Sequence, residues 1–147
     1  MLNVFDIKYS RMGATHRLVV NLDHIACVRY RGYYLSLIFT DNRSQLVDSK
    51  DDTMDIFRDL SRAMWAHNRT CYEFSDHNIT MCLDKIKAVE TILDYDPLSP
   101  NQGTKLAILT TGNSDAAVTL QMSSYEIAEM FVNEFLQAAV EINESGR

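Results

Sequence analysis

"VNLDHIACV" at residues 20–28 is answered sixty-one residues later by "MCLDKIKAV" at residues 81–89. Leu22, Asp23, Ile25 and Val28 align with Leu83, Asp84, Ile86 and Val89. Downstream, "YYLSLIFTDNRSQLVDS" (33–49) matches "TKLAILTTGNSDAAVTLQ" (104–121), where Leu35, Leu37, Thr40, Asn42 and Val47 meet Leu106, Ile108, Thr111, Asn113 and Val118. The spacing has grown from 61 to 71, so the second copy holds a ten-residue insertion around "DYDPLSPNQG", Asp94 to Gly103. A helix signal follows each second block. Three matching blocks in one order predict an internal duplication. The expected fold is α+β: two tandem β-rich units of antiparallel strands, residues 1–67 and 68–147, each closed by one C-terminal helix.

Both units read alike. A short strand (Leu18–Asn21; Ile79–Cys82) runs into a Leu-Asp corner, where the acid is expected to turn the chain by bonding nearby amides. A strand starts at Ile25 or Ile86. In the first unit another follows, with Tyr33, Leu35, Leu37 and Phe39 on one face at period two. "TDNR" and "TGNS" supply Asn and Gly where a tight turn often needs positive φ. A closing strand carries Val47, or Val118 and Leu120. An extra strand is expected before each unit, at Val4–Tyr9 and Cys71–Phe74.

The helices are marked by caps and stripes. Ser123 with Glu126 makes a capping box, and Ser49 with Asp52 occupies the matching positions. In helix one Ile56, Phe57, Leu60, Ala63 and Met64 form a single stripe that leaves Met54 and Trp65 outside. Helix two is apolar over a wider arc: Ile127, Phe131, Phe135, Ala138 and Ile142, broadened by Val132, Leu136 and Ala139. That width predicts a second cover, either between the units or at a subunit contact through Val132, Leu136 and Val140.

Composition bounds the rest. Hydrophobic residues make up 46% and charged ones 23%, ordinary for a globular chain. No window approaches the ~20 apolar residues of a membrane span. The three cysteines form no C-x-x-C pair, and an odd count suits a cytoplasmic protein with reduced thiols better than a disulfide framework. The net charge of −6 is uneven: residues 1–43 carry six bases against three acids, and the remainder eight bases against seventeen acids. Such asymmetry suits a charged partner or self-association.

Chemistry-bearing motifs are sparse. His67, Cys71, His77 and Cys82 lie close in sequence, but their spacing fits neither half of a zinc-ligand pattern, and no metal or cofactor is expected. There is no G-x-S-x-G elbow and no Gly-rich phosphate loop. The acids of "DSKDDTMD" suit a helix N-terminus. The reading is therefore not an enzyme. "RYRGYYL" (29–35) is the most suggestive polar stretch: Arg29, Tyr30, Arg31 and Tyr34 are expected at a hairpin tip, with both arginines projecting toward a partner. A hairpin whose tyrosines pair across strands while the arginines face water is the plainer alternative.

The pattern N-L-D-x-I, then a strand ending near T-x-N and a short capped helix, resembles the FlbD/SwrD small flagellar proteins, whose members are single copies of about one such unit. "THRLVVNLDHIACVRYRGYYLSLIFTDN" also resembles the second half of a LytTR-type DNA-binding domain. Here His16-Arg17 sits one residue nearer to V-N-L than in that family, and the preceding half-domain has no counterpart. The shared positions are mostly strand and turn, so both resemblances imply common folding grammar.

Together these features point to a non-enzymatic adaptor or regulator that binds another protein and forms a homo-oligomer. Two alternatives come from other classes. One is a nucleic-acid-binding regulator using the basic first forty-three residues, which the acidic total opposes. The other is a small-molecule sequestering protein with a cleft between units or subunits.

Overall fold

Ile25 and Ile86 each begin a strand that follows a one-turn 3-10 segment, Leu22–His24 and Leu83–Lys85. The computed structural model describes residues 3–49, 52–93, 103–112 and 117–145. Its elements are β1 (Val4–Arg11), β2 (Ala14–Asn21), β3 (Ile25–Arg31), β4 (Tyr34–Phe39), β5 (Ser44–Asp48) and α1 (Thr53–His67). Then come β6 (Cys71–Phe74), β7 (Ile79–Cys82), β8 (Ile86–Leu93), β9 (Thr104–Thr110), β10 (Val118–Met122) and α2 (Tyr125–Ser145). The fold is α+β with antiparallel strands and two helices. Most of the insertion from Asp94 lies outside the described residues, as does Asn113.

One order of elements thus occurs twice, and its details recur. The β3–β4 ladder shifts register between Ile25 and Cys27, and the β8–β9 ladder does so between Ile86 and Ala88. Thr40 N–H donates to His24 O, and Thr111 N–H to Lys85 O. Leu22 N–H donates to Asn3 O, and Leu83 N–H to Thr70 O. The last aligned block needs a correction: Val47 lies opposite Leu35, whereas the residue opposite Leu106 is Leu120 and not Val118.

The strands form a hairpin β1-β2, a three-stranded sheet β10-β9-β8 and a five-stranded sheet β5-β4-β3-β7-β6. The last crosses the 67/68 boundary, because β7 joins β3 with Cys27, Val28 and Arg29 opposite Met81, Thr80 and Ile79. This sheet is covered on both faces. Val28, Leu35, Leu37 and Val47 pack with Phe57, Leu60 and Met64 of α1, joined by Ile7 and Val20 of the hairpin. Cys27 and Ile38 face the other way, into a cluster with Leu106, Ile108, Leu120 and Phe131. Two-sided burial explains why "IACV" is an unbroken apolar run and does not alternate.

The α1 stripe is as expected: Phe57, Leu60 and Met64 are buried, Ile56 and Ala63 pack at its margin, and Trp65 is exposed beneath the Arg69 guanidinium. The caps differ. Asp52 precedes α1 without a side-chain cap bond, so Ser49 is not the cap. Ser124 caps α2, its Oγ accepting from Ile127 N–H at 3.2 Å; the capping box on Ser123 and Glu126 is one residue out of phase. On α2 the expected arc divides. Val132 packs on the core, while Leu136 and Val140 remain 59% and 50% exposed. No helix among the described residues is long and apolar enough to cross a membrane.

The expectation of reduced thiols is overturned for two cysteines. Cys71 and Cys82 face each other across the β6–β7 ladder and are bonded, S–S 2.07 Å. Closing a loop of this size contributes about 3 kcal/mol by restricting the unfolded chain. Cys71→Ser is therefore expected to lower unfolding free energy by about that amount in non-reducing buffer. With excess reductant, the variant and parent should denature at nearly the same urea concentration. Equal midpoints without reductant would show that the bond contributes nothing.

Candidate partner-binding site

Gly32 (φ 58°) and Tyr33 turn β3 into β4, with Arg31 opposite Tyr34. The left-handed conformation there suits a residue without Cβ. Across the sheet, the 3-10 segment Ser75–His77 ends on Asn78 at φ 54°, and Asn78 O accepts from Tyr30 N–H at 2.9 Å. Between tip and turn lies an open concavity of about 490 Å³, walled by Arg29, Arg31, Tyr33 and Tyr34 on one side and His77 and Asn78 on the other.

Its floor is unusual in charge. Arg29 is only 9% exposed. Its Nη2 donates to Gln121 O at 2.5 Å and lies 3.9 Å from Met122 Sδ. No carboxylate pairs with it among the described residues, and its Nε has no partner. Burial, and then the neighbouring charge of Arg31, pull its pKa below the usual arginine value. A guanidinium nevertheless stays charged in a protein. His77 stands edge-on to Phe131, centroids 5.3 Å apart, and its Nε2 is 3.5 Å from Glu134 Oε1, within ion-pair range but without a hydrogen bond. The only buried side-chain nitrogens or oxygens without a hydrogen bond among the described residues are Arg29 Nε and His77 Nε2, and both residues line this concavity.

The four residues expected at the tip divide accordingly. Arg31 and Tyr34 stand on the wall. Arg29 does not project: its odd position on β3 points it under β10, so it lines the floor. Tyr30 also borders the concavity, but its ring stacks on Phe57 at 5.9 Å on the opposite face. Sequence reasoning passed over Asn78, weighed His77 only as a metal ligand, and read Tyr33 only as a strand residue. His77 and Asn78 reach the site only through the β3–β7 pairing, which leaves no local signal.

The Leu-Asp corners behave differently from expectation. Asn21 Oδ1 accepts Asp23 N–H, so Asn21 turns the chain, and the Asp23 carboxylate reaches His67 Nε2 at 2.5 Å instead. His67 Nδ1 is 2.6 Å from Asn3 Nδ2. With both ring nitrogens engaged, this Asp–His pair fixes the end of α1 and has no nitrogen left to take a proton from a nucleophile. At the other corner Asp84 accepts from Thr70 Oγ1 at 2.6 Å and Asn68 Nδ2 at 2.9 Å.

The His67 hydrogen bond holds the Asp23 carboxyl below its usual range. A depressed folded-state pKa stabilises above the ordinary carboxylate value, and that contribution is lost as pH falls through the folded value. Asp23→Asn should therefore lower Tm at pH 6 and approach the parent only as pH falls below the folded-state value of Asp23. A difference between the two that is constant with pH would remove the ion pair as its cause.

Comparison of the chain with protein-family models, curated proteins and solved structures finds no match.

Proposed function

We propose that this protein is a non-enzymatic binding module of two tandem units, residues 1–67 and 68–147, derived by internal duplication. In this reading its concavity between Arg29 and His77 receives an acidic group of a protein partner. The recurrence of element order, bulge and turn bonds supports the duplication, and the FlbD/SwrD-like pattern in each unit fits a shared folding grammar. One observation carries the functional reading: the two residues that hold the unsatisfied buried nitrogens, Arg29 and His77, line one cavity. A buried cation without a counter-ion costs stability. An incoming carboxylate offsets that cost and gains charge-assisted hydrogen bonds. Exposed Tyr33 and the Arg31 side chain at the rim suit the amphipathic edge of such a contact.

The test is titration with a glutamate-rich peptide, and separately with mixed-sequence duplex DNA and RNA, across a salt series. Arg29→Met should raise thermal stability or leave it unchanged, since it removes an unpaired buried charge. It should also weaken peptide binding at least about tenfold, a loss of ~1.4 kcal/mol. Arg31→Glu, at the rim, should mainly slow association and flatten its salt dependence. If the peptide does not bind and nucleic acid binds with a steep log–log salt slope, the nucleic-acid reading replaces this one.

A further inference from the structure

The outer edge of β3 is filled by β7, but no described residue pairs with the matching edge of β8. Among the described residues β8 pairs only with β9, and β2 pairs only with β1. The difference shows in burial. Cys27 and Val28 are fully buried, whereas Ala88 is exposed and Val89 half-exposed at the corresponding positions of β8. Val19 on β2 is 53% exposed, while Thr80, its counterpart on β7, is 2% exposed. Two free antiparallel edges on one small protein are a liability that proteins normally cover.

The filled edge supplies the register for the matching one. Cys27 lies opposite Met81 and Val28 opposite Thr80. Exchanging the units at the 61-residue spacing places Ala88 opposite Val20 and Val89 opposite Val19. Tyr30 N–H donates to Asn78 O, so Thr91 turns its N–H outward toward Arg17 in the equivalent pair. Charge is compatible with this register, although Arg17 already pairs with Asp6 at 2.8 Å within the hairpin. Thr91 Oγ1 donates to Glu129 Oε1 at 3.2 Å, so an arginine opposite Thr91 meets the acidic face of α2.

We infer that β8 takes β2 of a second copy of this chain as its antiparallel neighbour, with Val89 opposite Val19, and that two such contacts form a two-fold dimer. The occupant is a second copy because the chain's own hairpin is already seated. Ile7 and Val20 are buried against α1, and β1 lies beside β5. On that seated hairpin Val19 is exposed and β2 pairs only with β1 among the described residues, so its free edge can receive a neighbour's β8. An isologous pair satisfies these two edges at once, and that contact closes. This inference rests on strand registers and is independent of the anion-binding reading.

The test uses full-length protein. At tens of micromolar it should sediment as a dimer. Single variants Val19→Cys and Val89→Cys, mixed and oxidised, should give a cross-linked species of twice the chain mass, because directly opposed residues fall within disulfide reach. Moving the cysteine from Val89 to Glu90 should cut the yield about tenfold. Cys27 is buried and Cys71 is bonded to Cys82, so the background is silent. Thr91→Pro removes an outward N–H and should give a monomer with an unchanged circular-dichroism spectrum. If that variant does not fold, Ala88→Lys, at an exposed position, should have the same effect. A monomeric parent, or a Val19→Cys/Val89→Cys double variant that closes within one chain, overturns the inference.

Discussion

Phe131→Ala is expected to remove about 3–5 kcal/mol of stability, the usual cost of emptying a fully buried aromatic site. For a domain of this size the loss corresponds to a fall in Tm of roughly 10 °C or more. Phe131 has no exposed surface. Its ring packs on Phe74 at 4.7 Å and holds His77 edge-on, so one side chain joins α2 to the turn that walls the concavity. The variant should therefore lose acidic-peptide binding even at temperatures where it stays folded. Phe131→Leu keeps most of the volume and should recover most of the stability, but not the edge-on contact with His77. Urea denaturation with a peptide titration separates the two effects. A loss below about 1 kcal/mol would mean that the site collapses around the missing ring.

The second large effect concerns Cys27. Burial pushes its thiol up to about 12, with the Arg29 charge only partly opposing. At pH 8 its thiolate fraction is then lower than that of an ordinary cysteine by roughly a thousandfold. Ellman's reagent should find almost no reactive thiol in the native protein and one after denaturation without reductant. It should find three after reduction in denaturant, matching the cysteines of the chain. Rapid reaction of the native protein would contradict the burial of β3 between two clusters.

Much of this architecture was legible in the sequence because local periodicity and turn chemistry encode it. The strand Ile79–Cys82 and the helix stripe through Phe57, Leu60 and Met64 are where the residues put them. Asn42 adopts φ 65° in the "TDNR" turn. Other features are settled by partners distant in the chain. Which strand fills the β3 edge is a choice among competing edges, and its single trace was the two-sided apolar run of "IACV". Arg29 looked like a tip residue because its sequence neighbours are polar; only β10 beneath it makes it buried. The Cys71–Cys82 bond left a usable signal. The expected strands Cys71–Phe74 and Ile79–Cys82 form a hairpin whose outermost residues must face each other. The cap on α2 was misplaced by one residue because two adjacent serines satisfy the same local rule, and helix packing decides between them.

The union of β7 with β3 has a consequence for biosynthesis. β3, β4 and β5 are synthesised before the strand that completes their sheet, β7. At 5–20 residues per second, the fifty-odd residues between the end of β3 and the end of β7 take roughly 3–10 s to synthesise. Throughout that interval Cys27 and Val28 belong to a nascent sheet with one unsatisfied rim, next to other growing chains on the same message. The interval is long compared with hydrophobic collapse, which takes microseconds. β3 therefore waits for β7 on the translation clock, and slowing elongation between the two strands lengthens its exposure to misassembly.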